Sequence, residues 1–302
     1  MQDRGHLLTE LRNPRTMRID RVTIAEAFEL LNGEDAGVPQ AVAAAKKSIC
    51  CAIELVTAAF EAGGRLIYVG AGTSGRLGVL DASECPPTFL SDPRMVQGVI
   101  AGGWDALRRA VEGAEDYPEH GAAKIDEMEV GPHDVVMGIT TGGTTPYVHG
   151  ALRRAKERGA KTIFFACVDA DHVADEADVS IRVLVGPEAI TGSTRMKAGT
   201  ATKLVLNTIT TISMVRIGKV YENLMVDVNT RANKKLIDRG TRMIMTVTGL
   251  TRAAAGELLE QAGGRVKTAL VMHVRNVDRA AAEQLLSRSH GHVTEILEGE
   301  SR

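Results

Sequence analysis

Five short apolar runs, at residues 66–69, 96–100, 135–139, 162–166 and 181–185, alternate with stretches of helical spacing near 77–83, 104–115, 121–128, 147–158 and 196–217. This alternation predicts an α/β fold with a doubly wound parallel sheet. Parallel neighbours need crossovers, and the crossover helices cover both faces of the sheet. Two further helices are predicted upstream, near 23–31 and over 39–62, the second ended by Gly63-Gly64. From about Thr246 the pattern holds short helices only. The expected organisation is therefore an α/β domain over 1–245, with an N-terminal helical extension, and a small all-helical module over 246–302. The module carries an internal repeat, in which Ala254-Ala255 with Leu258-Leu259 recurs as Ala281-Ala282 with Leu285-Leu286, 27 residues on.

Two of the predicted strands run into loops rich in glycine and hydroxyls. Gly70-Ala71-Gly72-Thr73-Ser74-Gly75 follows the first, and Thr140-Thr141-Gly142-Gly143-Thr144-Thr145-Pro146 follows the third. Ligands of doubly wound sheets bind beyond the carboxyl ends of strands, where both loops belong. Glycines let the backbone approach a ligand, and the amides of a following helix favour an anion. Thr73, Ser74, Thr140, Thr141, Gly143 and Thr144 are thus candidate contacts for a phosphate on a small polar molecule. Gly70-x-Gly72-x-x-Gly75 also matches the dinucleotide fingerprint, but the acid expected after the next strand is misplaced, since Asp92 precedes that strand. No P-loop lysine motif is present, which argues against a nucleotide phosphotransferase.

Composition narrows the classes further. Lys and Arg number 36 against 38 Asp and Glu, a balance that argues against a nucleic-acid or membrane-surface partner. Aromatic residues make up only 3%, which weakens any base-stacking role and leaves the core to aliphatic side chains. The longest helix-like uncharged run, 204–215, is shorter than the roughly 20 residues of a membrane span. Cys50, Cys51, Cys85 and Cys167 show no metal spacing and suit free thiols in a reducing cytoplasm, and the polar N-terminus lacks a signal-peptide stretch. His290-Gly291-His292, in a repeat turn, reads as surface histidines rather than a metal site.

Three acidic or basic groupings stand near the predicted sheet edge. Pro86-Pro87 is expected to stop the helix after the first loop, fixing Glu84 near it; a solvated helix-end acid is the alternative. Glu112 and Glu115, three apart on the predicted 104–115 helix, share a face that is either a surface patch or a second carboxylate approaching the ligand. Gly186-Pro187-Glu188 and Ser193-Thr194-Arg195-Met196-Lys197 open the 196–217 helix. There Glu188, Ser193, Thr194 and Lys197 serve either as helix caps or as ligand contacts.

With these stretches together, the chain resembles the N-acetylmuramic acid 6-phosphate etherase family. This is a branch of the sugar-isomerase (SIS) domain superfamily related to glucokinase regulatory protein. The resemblance rests on Leu8-Thr9-Glu10, Asn13-Pro14, residues 70–89, Val111-Glu112-Gly113-Ala114-Glu115-Asp116, residues 186–200 and Gly218-Lys219-Val220-Tyr221 with Asn223-Leu224-Met225-Val226-Asp227. It implies a lyase that releases D-lactate from a phosphorylated amino sugar, without metal or nucleotide cofactor, in a cytoplasmic homodimer. It also implies that Glu84, in Ser83-Glu84-Cys85-Pro86-Pro87, and Glu115 are the catalytic acids. The second loop departs from the family's Ala-Ser-Gly-x-Thr-Pro, since Thr141-Gly142-Gly143-Thr144-Thr145-Pro146 moves or loses a hydroxyl.

Overall fold

The computed structural model describes residues 4–228, 230 and 234–299. In chain order its helices and strands are α1 (Ile24–Asp35), α2 (Val38–Ala44), α3 (Lys46–Glu61), β1 (Leu66–Gly70), α4 (Gly72–Phe89), β2 (Val96–Ile100), α5 (Pro118–Glu127), β3 (Val135–Ile139), α6 (Pro146–Glu157), β4 (Lys161–Ala166), β5 (Val179–Arg182), α7 (Lys197–Arg216), α8 (Lys234–Thr248), α9 (Arg252–Gln261), α10 (Val266–Arg275), α11 (Arg279–Arg288) and α12 (Val293–Glu298). Contacts divide the chain into two compact units. One takes Arg94–Thr210 with the segment up to Ser83, and the other takes Glu84–Pro93 with the chain from Thr211 onward.

The first unit holds a five-stranded sheet in the order β2-β1-β3-β4-β5, with every pair parallel. Every residue of β1 and β3 is buried, so these strands read as unbroken apolar runs. α3 packs against β1, β3 and β5, and α6 packs against β1, β3 and β4. Leu7, Ile67, Val69, Val136, Val148, Ala151 and Phe164 share one core. Strand order reverses between β1 and β3, which makes the carboxyl ends of those two strands the switch point of the sheet.

Four predicted elements differ, the simplest being the fifth strand, which runs over Val179–Arg182 rather than 181–185. The helix after the first loop starts at Gly72 rather than near residue 77, so Thr73 and Ser74 sit in its first turn. It also runs through Pro86 and Pro87 to Phe89 instead of stopping at Ser83. Each proline deprives a carbonyl four residues back of its donor and crowds it, at a cost of about 3 kcal/mol in a helix interior. Burial of Cys85 and Phe89 offsets this in the last turns. The predicted 104–115 helix is replaced by a 3-10 turn over Gly103–Leu107 followed by irregular turns. Gly113 takes φ +73°, and its carbonyl accepts from Asp116 N (3.2 Å), which breaks helical geometry. Glu112 and Glu115 therefore share no helical face. The long helix over 39–62 is likewise two helices, α2 and α3, joined at Ala45.

The second unit is helical. α9 and α11 begin 27 residues apart, as do α10 and α12, so the sequence repeat is also a structural one. Its core is built from Ile244, Leu259, Val266, Leu270, Ala282 and Val293, among others.

Candidate active site

The first loop is a tight strand-to-helix turn. A Cβ on Gly75 would lie 2.6 Å from Ile100 Cγ1 and 2.9 Å from Gly70 O, so only glycine lets α4 start this close to β1 and β2. Gly75 N donates to Ala71 O (3.2 Å), the first bond of the helix. The amides of Gly72, Thr73 and Ser74 precede any helical acceptor and are available to an anion at the positive end of α4. Ser74 is buried and Thr73 half-buried beside them.

The second loop leaves β3 next door, since Gly70 stands in register with Ile139. Gly143, at φ +77°, donates to Thr140 O (2.9 Å), and its own carbonyl accepts from His149 Nε2 (2.7 Å). The buried Thr140 hydroxyl lies 2.9 Å from that of Thr145, so it shapes the loop from within. Thr141 and Thr144 are half-buried, and Thr141 O accepts from Cys167 N (2.8 Å). α6 begins at Pro146, and Tyr147 N donates to Glu115 O (3.0 Å). That bond holds the exposed Glu115 against the start of α6, at the same edge as the second loop.

The third region meets the first loop through Gly199, whose added Cβ would stand 3.7 Å from Thr73 Cγ2 and 3.5 Å from Thr194 O. Glu188 is wholly buried and caps α7, accepting from Lys197 N (3.0 Å) and Ala198 N (2.9 Å). Burial pushes its carboxyl pKa up, while those amide bonds pull the other way. Lys197 Nζ donates to Glu34 Oε2 (2.6 Å) in a buried pair, and Arg15 binds the other oxygen of Glu34. The hydrogen bond from Arg15, helped by Lys197, overcomes burial and holds the Glu34 carboxyl at about 2. The chain thus supplies its own partners to Glu188 and Lys197. Ser193 and Thr194 remain half-buried beside them.

An N-terminal segment closes this edge. Asn13 Nδ2 donates to Pro187 O (3.2 Å), and Thr16 Oγ1 donates to Ala189 O (2.7 Å). Thr9 Oγ1 stands 3.8 Å from the Cβ position of Gly142, and Glu10 Oε2 stands 3.5 Å from that of Gly192. Glu34, Arg15, Thr9 and Glu10 were not candidates from the residues alone, because no local pattern marks their distant partners. Glu84 is exposed on the last turns of α4, which fall in the helical unit. Among the described residues no group of three or more His, Cys, Asp or Glu is placed to hold a metal ion.

Residues 48–156 match the model described as the glucokinase regulatory protein N-terminal SIS domain, and residues 115–212 match the SIS domain model. A Gloeothece citriformis (strain PCC 7424) protein named N-acetylmuramic acid 6-phosphate etherase is 55% identical over 270 residues, covering 89% of this chain and 88% of its own. The chain belongs to the N-acetylmuramic acid 6-phosphate etherase family. A second etherase of that name, from Gloeobacter violaceus (strain ATCC 29082 / PCC 7421), is 57% identical over the same shares of the two chains. The SIS fold is shared with a solved structure from Bacteroides fragilis NCTC 9343. That structure has a TM-score of 0.52 at 19% identity, over 70% of this chain and 99% of its own.

Proposed function

We propose that this member of the etherase family seats the 6-phosphate of N-acetylmuramic acid 6-phosphate on the first turn of α4 and the β3–α6 loop, and that Glu84 and Glu115 move the protons of the reaction. As an etherase the protein is a carbon–oxygen lyase, and the products are N-acetylglucosamine 6-phosphate and D-lactate. The observation that carries this reading is the emergence of two hydroxyl-rich turns side by side from β1 and β3, each opening a helix whose positive end favours a phosphate. Thr73, Ser74, Thr141 and Thr144 supply hydroxyls there, with Ser193 and Thr194 alongside. Thr140 and Gly143 shape the second turn, and Glu188 and Lys197 hold the start of α7.

An alkyl ether is a poor leaving group, and the aldehyde of the opened sugar changes that by acidifying the C2 proton. The Glu115 carboxylate takes that proton, the electron pair forms the C2–C3 double bond, and the C3–O bond breaks as Glu84 protonates the lactyl oxygen. Water then adds at C3, giving its proton to Glu84, while Glu115 returns a proton to C2. Both acids end in their starting states. Positioned proton transfer of this kind contributes about 10²–10⁴-fold per group, and the anchored phosphate fixes C2 and C3 for it.

The test is to run Glu115→Gln and Glu84→Gln enzymes in deuterium oxide with the phosphosugar. Glu115→Gln is expected to abolish both C2 deuterium incorporation and D-lactate release, whereas Glu84→Gln retains C2 exchange and loses lactate release. Normal C2 exchange in Glu115→Gln overturns the assignment. Formation of a ketose in place of lactate would instead point to an aldose–ketose isomerase.

We place the reaction in the cytoplasm, because a sugar phosphate does not cross a bilayer unaided. Among the described residues no helix is long and apolar enough to span a membrane. The working assembly in this reading is a homodimer.

A further inference from the structure

The helical unit contains a cavity of about 460 Å³ whose walls include Lys219, Arg265 and Lys267. Such a volume falls in the range of small-molecule sites. Lys267 is 8% exposed, and an ammonium this buried needs a stated partner. It donates to Asp227 Oδ2 (2.8 Å) and Gly291 O (3.0 Å), which uses two of its three N–H bonds. Lys219 Nζ lies 3.2 Å from the same Asp227 oxygen, so one carboxylate serves two ammonium groups. The other wall carboxylate, Glu283, is engaged by Arg279 (2.9 Å). Arg265 forms no ion pair among the described residues.

Arg265 and Lys267 stand at the N-terminal end of α10, where a helix disfavours cations. Arg265 is the N-cap residue of α10, and no side chain caps that helix. The preceding and following helices, α9 and α11, are capped by Thr251 and Asp278. The positive end of α10, an arginine, and two lysines sharing one acid therefore converge on one cavity. Positive charge at a helix N-terminus is unfavourable unless an anion joins it. Val226, Val228 and Leu286 give the same cavity an apolar wall, which suits a carbon skeleton beside the charge.

From this convergence we propose that the cavity at the start of α10 binds a small phosphate monoester. Its phosphate would accept from Lys267, Arg265 and the first-turn amides of α10, and its carbon chain would lie on the apolar wall. Lys219 and Asp227 position Lys267 in this arrangement.

The test uses the full-length, isotopically labelled protein titrated with glycerol 3-phosphate, following the amide signals of Val266, Lys267 and Thr268. Saturable shifts at those amides are expected. Arg265→Gln should weaken them about tenfold, equivalent to about 1.4 kcal/mol, with an unchanged circular dichroism spectrum. Lys267→Met should abolish them; because that change also strips Asp227 of a partner, Lys219→Gln serves as the milder second variant and should weaken binding. Raising the salt concentration should weaken binding too. Absence of saturable shifts at millimolar ligand, or equal affinity in wild type and Arg265→Gln, overturns the proposal. Shifts confined to Thr73, Ser74 and the second loop do the same, because they would report the sheet-edge site alone.

Discussion

Glu34 shows how much one side chain organises at this edge. Its two oxygens are divided between Arg15 and Lys197, and both ends of that arrangement lie far from it in sequence. Its carboxyl, ordinarily near 4.5, is held at about 2 in the folded chain. A folded-state pKa below the unfolded one means that the unfolded chain binds the extra proton as pH falls. The stabilisation is therefore complete above about pH 5 and drains away toward pH 2. Denaturant midpoints measured across that interval should fall, and Glu34→Gln should be less stable at neutral pH with a flatter acid limb. Lys197→Met leaves Glu34 buried with one partner and is expected to cost about 3 kcal/mol, in line with broken buried pairs; urea unfolding reads it directly. In the sequence, Lys197 looked equally suited to capping or to a ligand. Nothing near it announces Glu34, because their hydrogen bond joins residues 163 apart.

At the scale of elements, the turn from β1 into α4 is the most constrained piece of backbone. Gly75→Ala must displace either Ile100 or the Gly70 carbonyl. It is expected to shift the first turn of α4 and raise the KM for the phosphosugar at least tenfold, or about 1.4 kcal/mol. Steady-state lactate release measures this, and an unchanged KM would remove the first turn from phosphate binding. The strand β3 was legible to the residue because its full burial leaves a continuous apolar run bounded by polar or glycine-rich turns, and the edge strand β2 was legible from the apolar residues Val96, Val99 and Ile100 although Gln97 and Gly98 interrupt it. The end of α4 was not, since Pro86-Pro87 is a strong local stop signal and burial of Cys85 and Phe89 is a tertiary fact. The 104–115 region failed for the opposite reason. Its helical spacing is real, but Gly113 and the bond from Tyr147 N to Glu115 O impose a turn. The hydroxyl-rich loops themselves were readable, because glycines, hydroxyls and a preceding strand are all local signals.

For the molecule as a whole, α1 carries Ile24 and Phe28 one turn apart, 92% and 62% exposed. Large apolar side chains left adjacent in this way mark a contact surface. The homodimer proposed above is expected to bury them against the second copy, and light scattering should then return twice the 32.2 kDa chain mass. Phe28→Asp should shift that mass toward one chain, and an unaltered mass would move the interface elsewhere. The ties from Asn13 to Pro187 and from Thr16 to Ala189 span 174 and 173 residues. A ribosome exposes the first partner of each tie long before the second, while domains fold as units during synthesis. The segment that carries Asn13 and Thr16 must therefore wait, unfastened, until Pro187 and Ala189 have emerged. A nascent chain stalled before residue 187 would display Asn13 and Thr16 to solvent and to proteases, and translation past that point would withdraw them.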